Sequence, residues 1–230
     1  MRGPQSLGPA REGPVLLLDL DGTLVDPARG VTGSIRTAMA AMGRPVSDTD
    51  LGWVIGPPLR QSFATLLGGP ERVEEAVALY RAAFAETGIF DADPYDGIMT
   101  VLEQLSATHR LCLCTAKPLP FARRIVDHFG FAPFFCGLYG AELDGRFDDK
   151  GDLIAHILGA EGLDPGRVIM IGDRANDTEA ARKNGGRSIG VLWGYGGADE
   201  LTGGGATRLC ASPADLFACV AALDAVAEAR

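Results

Sequence analysis

The sequence lacks long apolar runs and has no excess of positive charge. No stretch approaches the roughly 20 consecutive apolar residues that a membrane-spanning helix needs. The 21 lysines and arginines are outnumbered by 30 aspartates and glutamates, and the formal net charge is −9. Because nucleic-acid polymers and anionic membranes are bound through basic surfaces, neither is an expected partner. An anionic small molecule would need positive charge supplied locally at its own site.

Cysteine pairs of the metal-binding or redox type are also missing. The five cysteines include no CxxC pair, and an odd number spread over 230 residues does not indicate a disulfide framework. They are Cys112, Cys114, Cys136, Cys210 and Cys219. We therefore expect reduced, mostly buried thiols and a cytoplasmic location. Residues 1–13 lack the apolar core of a signal peptide, and they are predicted to form a flexible N-terminal extension.

Apolar runs of strand length alternate with amphipathic stretches of helical length over most of the chain. The predicted strands are Val15–Asp19, Arg110–Thr115, Phe134–Gly140, Val168–Asp173, Ser188–Gly194 and Thr207–Ala211. The predicted helices between and after them are Ile98–Ala107, Phe121–Phe129, Lys150–Glu161, Asp177–Asn184 and Pro213–Glu228. Near-continuous apolar strands that alternate with helices indicate an α/β fold, in which helices cover both faces of a parallel sheet.

One interval breaks this alternation. Residues 27–94 show helical periodicity and no convincing strand, with a proline-containing loop at Val54–Leu59 between two of the predicted helices. We therefore predict a small helical domain at 27–94 that is inserted after the first strand. The α/β core is predicted to comprise 14–26 and 95–230, and the two connections lie near Asp26 and Asp93–Asp96.

Polar side chains with related chemistry stand where the predicted strands end or a helix begins. They are Asp19 and Asp21 after the first strand, Thr115 after the second, Asp173 after the fourth, Asp177 one helical turn later, and Lys150 at a helix start. In open parallel sheets, ligands bind beyond the carboxyl ends of the strands. The pattern therefore predicts one site that combines four carboxylates, a hydroxyl and an amine.

This set suits phosphoryl transfer assisted by Mg²⁺, which prefers oxygen ligands and binds through one or two carboxylates plus a substrate phosphate. A cation would also relieve the repulsion between Asp19 and Asp21. Asp19 could then attack phosphorus while Asp21 protonates the leaving oxygen and later activates water. The Thr115 hydroxyl, Lys150, and backbone N–H groups near Leu20 and Ala116 would stabilise charge on the transferring oxygens.

Taken singly, several of these residues have simpler interpretations. Thr115 alone is more typical of a helix N-cap, Lys150 alone of a solvated lysine, and the Asp19–Asp21 pair could form a turn. Their order along the chain, together with their placement at strand ends, favours the joint site.

Four ordered motifs carry a resemblance to a known family. They read "DLDGTLVD" from Asp19, "CTAKP" from Cys114, "DGRFDDK" ending at Lys150, and "GDRANDT" from Gly172. In this order they resemble the motifs of the haloacid dehalogenase-like superfamily of phosphohydrolases, over Val15 to about Leu216. The resemblance implies a Rossmann-like α/β core, and the helical insertion is similar to the cap of that superfamily's first cap class.

The resemblance also implies a role for each matched residue. Asp19 is expected to be the nucleophile and a metal ligand. Asp21 is expected to be the general acid and base, and to bind the metal through its backbone carbonyl. Thr115 and Lys150 are expected to bind the transferring phosphoryl group.

The fourth motif completes the expected Mg²⁺ site. Asp173 is expected to join Asp19 and Asp21 as a metal ligand, and Asp177 to support them from a position near Lys150. The expected substrate is a small phosphorylated metabolite. For the oligomeric state, the sequence is compatible with a monomer and with a homodimer.

The motifs specify the chemistry better than the substrate. The chain most resembles the phosphoglycolate phosphatase-like branch, whose close relatives also carry the names 5′-nucleotidase and pyrophosphatase. Candidate substrate contacts are Arg60 in the helical insertion and Ala116 and Lys117 beside Thr115. A phosphomutase would use the same residues. A phosphoacceptor signalling module is disfavoured, because such modules are about half this length and lack a cap.

Overall fold

The structure is a computed structural model, and it describes residues 13–47 and 51–228, with side chains through residue 225. Residues 1–12 of the predicted extension lie outside the described residues. The strands are β1 (Val15–Leu18), β2 (Val25–Asp26), β3 (Asp93–Pro94), β4 (Arg110–Pro118), β5 (Phe135–Ala141), β6 (Val168–Gly172), β7 (Arg187–Val191) and β8 (Arg208–Cys210). The helices are α1 (Ala28–Ala41), α2 (Leu59–Leu67), α3 (Val73–Ala83), α4 (Ile98–Thr108), α5 (Leu119–His128), α6 (Lys150–Glu161), α7 (Ala175–Lys183), α8 (Ala198–Gly203) and α9 (Leu216–Glu228).

In the described part of the chain, six strands form one sheet in the order β5-β4-β1-β6-β7-β8. Every neighbouring pair in this sheet is parallel. Strand β1 lies near the middle, with Leu17 opposite Cys112 of β4 on one side and Met170 of β6 on the other. Because both faces of β1 are buried, all four of its residues are apolar.

Helices cover both faces of this sheet, as predicted for an α/β fold. Val15 and Leu17 of β1 pack in one apolar cluster with residues of α6 and α7, such as Ile157 and Ala181. Leu16 and Leu18, which point to the opposite face, pack in a second cluster with residues of α4, α5 and α9. The predicted fold class is confirmed.

The interval at 27–94 contains α1, α2 and α3, and a π-helical turn at Phe84–Gly88 continues α3. The expectation of no strand in this interval is wrong at its end, because Asp93 and Pro94 form β3 and pair antiparallel with β2. A two-residue strand is too short to produce a periodic pattern, and its pairing depends on a distant segment. Arg29 of α1 also contacts Asp91 and Asp93 at 2.8 Å each. The division into core and cap stays a prediction.

Two element boundaries near the site differ from the predicted ones. Strand β4 continues past Thr115 to Pro118, because Pro118 aligns with Ala141 of β5 after a local shift in register. Helix α7 begins at Ala175, two residues before Asp177, whose carboxylate accepts a hydrogen bond from the Arg174 N–H. Both shifts depend on contacts that a local pattern does not contain.

The five cysteines are free thiols, and all except the half-buried Cys136 are buried. Among the described residues, no helix combines the length and the apolar character that crossing a membrane requires.

Candidate active site

Asp19 lies directly after β1, at the carboxyl end of the central strand. Its backbone N–H still donates to the Ile171 carbonyl of β6 at 2.9 Å, which fixes the direction of the chain at this point. One carboxylate oxygen accepts from the Leu20 N–H at 2.8 Å, and the other lies 2.9 Å from Lys150 Nζ. The side chain is therefore held in one orientation, and only 2% of the residue is exposed.

Gly22 allows the chain to turn immediately after the two aspartates. Its φ is +80°, and a Cβ atom at this position would lie 2.2 Å from Asp173 Oδ2. A side chain here would both strain the backbone and displace the neighbouring carboxylate. The glycine after the Asp19–Asp21 pair is therefore required by the close approach of β1 and β6.

Asp19, Asp173 and Asp177 form a buried acidic cluster in which one carboxylate oxygen from each lies within 4.8 Å of the others. Asp173 accepts a hydrogen bond from the Tyr195 N–H at 2.8 Å. Burial, and then the charges of Asp177 and Asp19, raise the pKa of Asp173 well above its usual value. Burial likewise raises the pKa of Asp177 to about 6, although Lys150 opposes this shift. The cluster therefore needs more positive charge than it contains.

Lys150 is the ammonium group within this cluster. It opens α6, whose N-terminus is capped by Asp149 accepting from the Gly151 N–H at 2.6 Å. Its Nζ contacts Asp177 as well as Asp19. Burial alone would lower the pKa of Lys150, but the two carboxylates raise it above its usual value. Lys150 is therefore charged at neutral pH.

The donor set fits a hard divalent cation, because three buried carboxylates offer only oxygen ligands and the Lys150 ammonium contacts just two of them. The side chains that the structure brings together are those of Asp19, Asp173 and Asp177. The predicted set had Asp21 in place of Asp177, bound through its backbone carbonyl rather than its side chain. That carbonyl contact stays a prediction, and Asp177 joins the candidate ligands.

The Asp21 side chain faces a different environment from Asp19. One of its oxygens lies 2.7 Å from Lys117 Nζ, while the other is buried without a hydrogen-bond partner. Burial raises the pKa of Asp21, and the Lys117 ammonium partly offsets this effect. Lys117 also lies over the Phe84 ring, 4.5 Å from its centroid. A carboxyl group whose pKa is raised in this way is suited to protonating a leaving group.

A cavity of about 600 Å³, measured to its open mouth, lies beside these two aspartates. The lining residues come from the turn after β1, from α1, from the start of α2 and the loop before it, from α3 and the turn after it, and from β4 and α5. They are Asp19, Asp21, Val31, Val54, Ile55, Gly56, Pro57, Leu59, Tyr80, Arg81, Phe84, Thr115, Ala116, Lys117, Pro118 and Phe121. The predicted contacts Thr115, Ala116 and Lys117 thus share one cavity, and the Thr115 hydroxyl accepts from the Lys117 N–H at 3.2 Å.

The structure does not bring Arg60 to this cavity. Its guanidinium contacts Glu74 at 2.6 Å and Asp148 at 3.0 Å, so its donors are used away from the cavity lining. Arg81 lines the cavity instead. The sequence pattern did not single out Arg81. This residue directly follows Tyr80, which is buried in α3, and a charged residue next to a buried face is unusual.

The chain is similar to several known proteins. The family model of haloacid dehalogenase-like hydrolases matches residues 14–185. A 5′-nucleotidase of Pseudomonas aeruginosa is 44% identical over 208 residues, which cover 88% of this chain and 93% of that protein. The tyrosine-protein kinase PtkA of Mycobacterium tuberculosis is 39% identical, over 84% of this chain and 67% of the kinase. A phosphoglycolate phosphatase of Caulobacter vibrioides is 32% identical, over 80% and 81%.

A solved structure is similar to this chain in both fold and sequence. A protein described as a predicted phosphatase from Clostridium acetobutylicum superposes with a TM-score of 0.87 and 34% identity, covering 91% of this chain and 98% of that one. The fold is of the α/β class, with a buried acidic cluster at the carboxyl ends of its central strands. The chain belongs to the haloacid dehalogenase-like hydrolases, and within that family it is a phosphatase.

Proposed function

We propose that the protein is a Mg²⁺-dependent phosphomonoester hydrolase that works through an aspartyl-phosphate. The observation that carries the proposal is the different placement of two aspartates at one cavity. Asp19 is held beside Lys150 at 2.9 Å, while Asp21 is paired with Lys117 and has a raised pKa. One carboxylate is thereby suited to attack, and the other to carry a proton.

In the first step, an Asp19 carboxylate oxygen attacks phosphorus, and the bond between phosphorus and the ester oxygen breaks. Asp21 donates its proton to that oxygen, so a neutral alcohol leaves. In the second step, Asp21 removes a proton from water, whose oxygen attacks the phosphorus and releases inorganic phosphate and Asp19. Lys150 orients Asp19, and the Thr115 hydroxyl is placed to donate to a phosphoryl oxygen. A Mg²⁺ ion held by the cluster of Asp19, Asp173 and Asp177 would supply positive charge that stabilises the transferring phosphoryl group.

The substrate is proposed to be a small phosphorylated metabolite. A phosphoglycolate-type substrate is the first candidate, from the sequence motifs and the Caulobacter relative. A nucleoside 5′-monophosphate is the second, because the Pseudomonas relative is called a 5′-nucleotidase and the cavity walls are mostly apolar. We place the reaction in the cytoplasm, since the five cysteines are free thiols, as is usual in reducing compartments.

The test measures phosphate release from p-nitrophenyl phosphate with and without Mg²⁺. Asp19→Asn should lower kcat by at least roughly a thousandfold, because the amide oxygen is a poor nucleophile. Asp152→Asn, on an exposed carboxylate in the first turn of α6, is the matched control and should leave kcat unchanged. Undiminished turnover in Asp19→Asn would refute the nucleophile assignment.

A second measurement separates hydrolysis from transfer to another acceptor. A phosphomutase would use the same residues but would return the phosphoryl group to a substrate hydroxyl. We expect one inorganic phosphate for each alcohol released. Alcohol without free phosphate would favour transfer.

A further inference from the structure

The cavity presents two kinds of surface to a leaving group. Beyond the aspartates, its walls are largely apolar, with Ile55, Tyr80, Phe84 and Phe121 among them. The cavity opens to solvent, so a leaving group can extend along these walls.

Two cationic side chains line the cavity, and they differ in what they already bind. Lys117 Nζ forms an ion pair with Asp21 at 2.7 Å and lies over the Phe84 ring. Arg81 Nη1 donates to the Leu143 carbonyl at 2.9 Å, which fixes the guanidinium in place. Arg81 Nε, in contrast, is buried and has no hydrogen-bond partner. A buried unsatisfied donor is unfavourable unless a ligand or a water molecule accepts from it.

The surroundings of Arg81 do not supply that acceptor. The nearby carboxylates of Glu74 and Asp148 are both bound by Arg60. Burial and the neighbouring Arg60 charge lower the pKa of Arg81. An additional acceptor at Nε would therefore satisfy the donor and stabilise the charge together.

We propose that Arg81 determines specificity by donating from Nε to a hydrogen-bond acceptor on the leaving group, while the apolar walls hold its body. This inference rests on the proposed function. The shared chemistry is an sp² oxygen, which could belong to a carboxylate or to a ring carbonyl. The first would come from a glycolate-like alcohol, and the second from a nucleoside.

Two substrate pairs separate these sources. Phosphoglycolate and ethyl phosphate differ in having a carboxylate or a methyl group at the same position. A pyrimidine nucleoside 5′-monophosphate and 2-deoxyribose 5-phosphate differ in having or lacking the base with its carbonyls. The ratio of kcat/KM within each pair measures how strongly the enzyme prefers the acceptor.

The variants compared are Arg81→Met, which keeps the length of the side chain without its donors, and Arg60→Met. Arg60 is the matched control, because it also donates to the Leu143 carbonyl, at 3.2 Å, but does not line the cavity. If Arg81 only anchored the loop around Leu143, the two variants would change the ratios alike. Thermal unfolding, and turnover of the acceptor-free esters, show that each variant is folded.

We expect Arg81→Met to lower one of the two ratios by about tenfold to a hundredfold, the usual effect of losing a charged hydrogen bond, while Arg60→Met leaves both within about twofold. The pair that responds identifies the source of the acceptor. Unchanged ratios in Arg81→Met, or equal changes in both variants, would overturn the inference but leave the hydrolase proposal standing. If the unmodified protein hydrolyses no phosphomonoester, the proposed function fails, and the inference fails with it.

Discussion

At the scale of single residues, neighbouring aspartates have different properties because their partners differ. Asp19 lies between a backbone N–H and Lys150, whereas Asp21, two residues later, is paired with Lys117. Asp21 and Lys117 come from the ends of two adjacent strands, β1 and β4, which meet at the same edge of the sheet. In this pairing the charge of Lys117 lowers the pKa of Asp21 and so opposes the effect of burial.

Replacing Lys117 with methionine should shift the pH dependence of the first step. The ammonium stabilises ionised Asp21, so its loss raises the Asp21 pKa further above the usual value. Because leaving-group protonation needs protonated Asp21, kcat/KM falls as pH rises through this pKa. The alkaline limb of the kcat/KM profile should therefore move to higher pH.

The control for this measurement is Lys183→Met, since Lys183 is exposed on α7 and makes only a 3.8 Å contact with Asp149. Its profile should match that of the unmodified protein. An alkaline limb that moves to lower pH in Lys117→Met would contradict the proposed pairing.

At the scale of elements, the turn after β1 is fitted against the end of β6. The positive φ of Gly22 and its close approach to Asp173 leave no room for a side chain. Gly33 lies inside α1 and has nothing within 4 Å of its Cβ position, so it differs from Gly22 in both respects. The two glycines form a matched pair.

Gly22→Ala should lower the free energy of unfolding by about 1–3 kcal/mol, through backbone strain and displacement of the Asp173 carboxylate. Gly33→Ala should instead raise it by roughly 0.5–1 kcal/mol, because alanine is favoured over glycine within helices. Urea denaturation measures both. Equal changes in the two variants would show that the turn is not constrained as described.

At the scale of the whole molecule, we expect the buried acidic cluster to make stability depend on the proposed Mg²⁺ ion. Asp19, Asp173 and Asp177 come from β1, β6 and α7, so their repulsion acts between the central elements of the sheet. A ligand that binds only the folded state stabilises it according to its concentration and affinity. The cluster thus couples the site to global unfolding.

Mg²⁺ should raise the thermal midpoint of the unmodified protein, and a chelator should reverse this effect. Asp173→Asn removes one of the crowded charges and can still accept from the Tyr195 N–H. It should therefore raise the midpoint without Mg²⁺ and reduce the gain that Mg²⁺ produces. Asp199→Asn, at an exposed position on α8, should leave both midpoints as they are. A full Mg²⁺ response in Asp173→Asn would exclude that carboxylate from the cation site.

Much of the fold could be predicted because burial leaves a local pattern. Apolar runs such as Val168–Gly172 mark strands buried on both faces, and α6 begins and ends at the predicted residues. The short pairing of β2 with β3 could not be predicted, since each strand has two residues and is formed only by contact with the other.

The sequence by itself determined the order of the main strands and helices and placed the carboxylates, the hydroxyl and the amine near their ends. Its four motifs also resemble those of the haloacid dehalogenase-like phosphohydrolases. Only the tertiary structure decided that the Asp177 carboxylate lies close enough to Asp19 and Asp173 to be a metal ligand itself. It also decided that Lys117 binds Asp21, and that Arg81 rather than Arg60 lines the cavity. The physical reason is that element formation depends on local periodicity and burial. Which charged side chains meet depends instead on the directions in which distant elements pack.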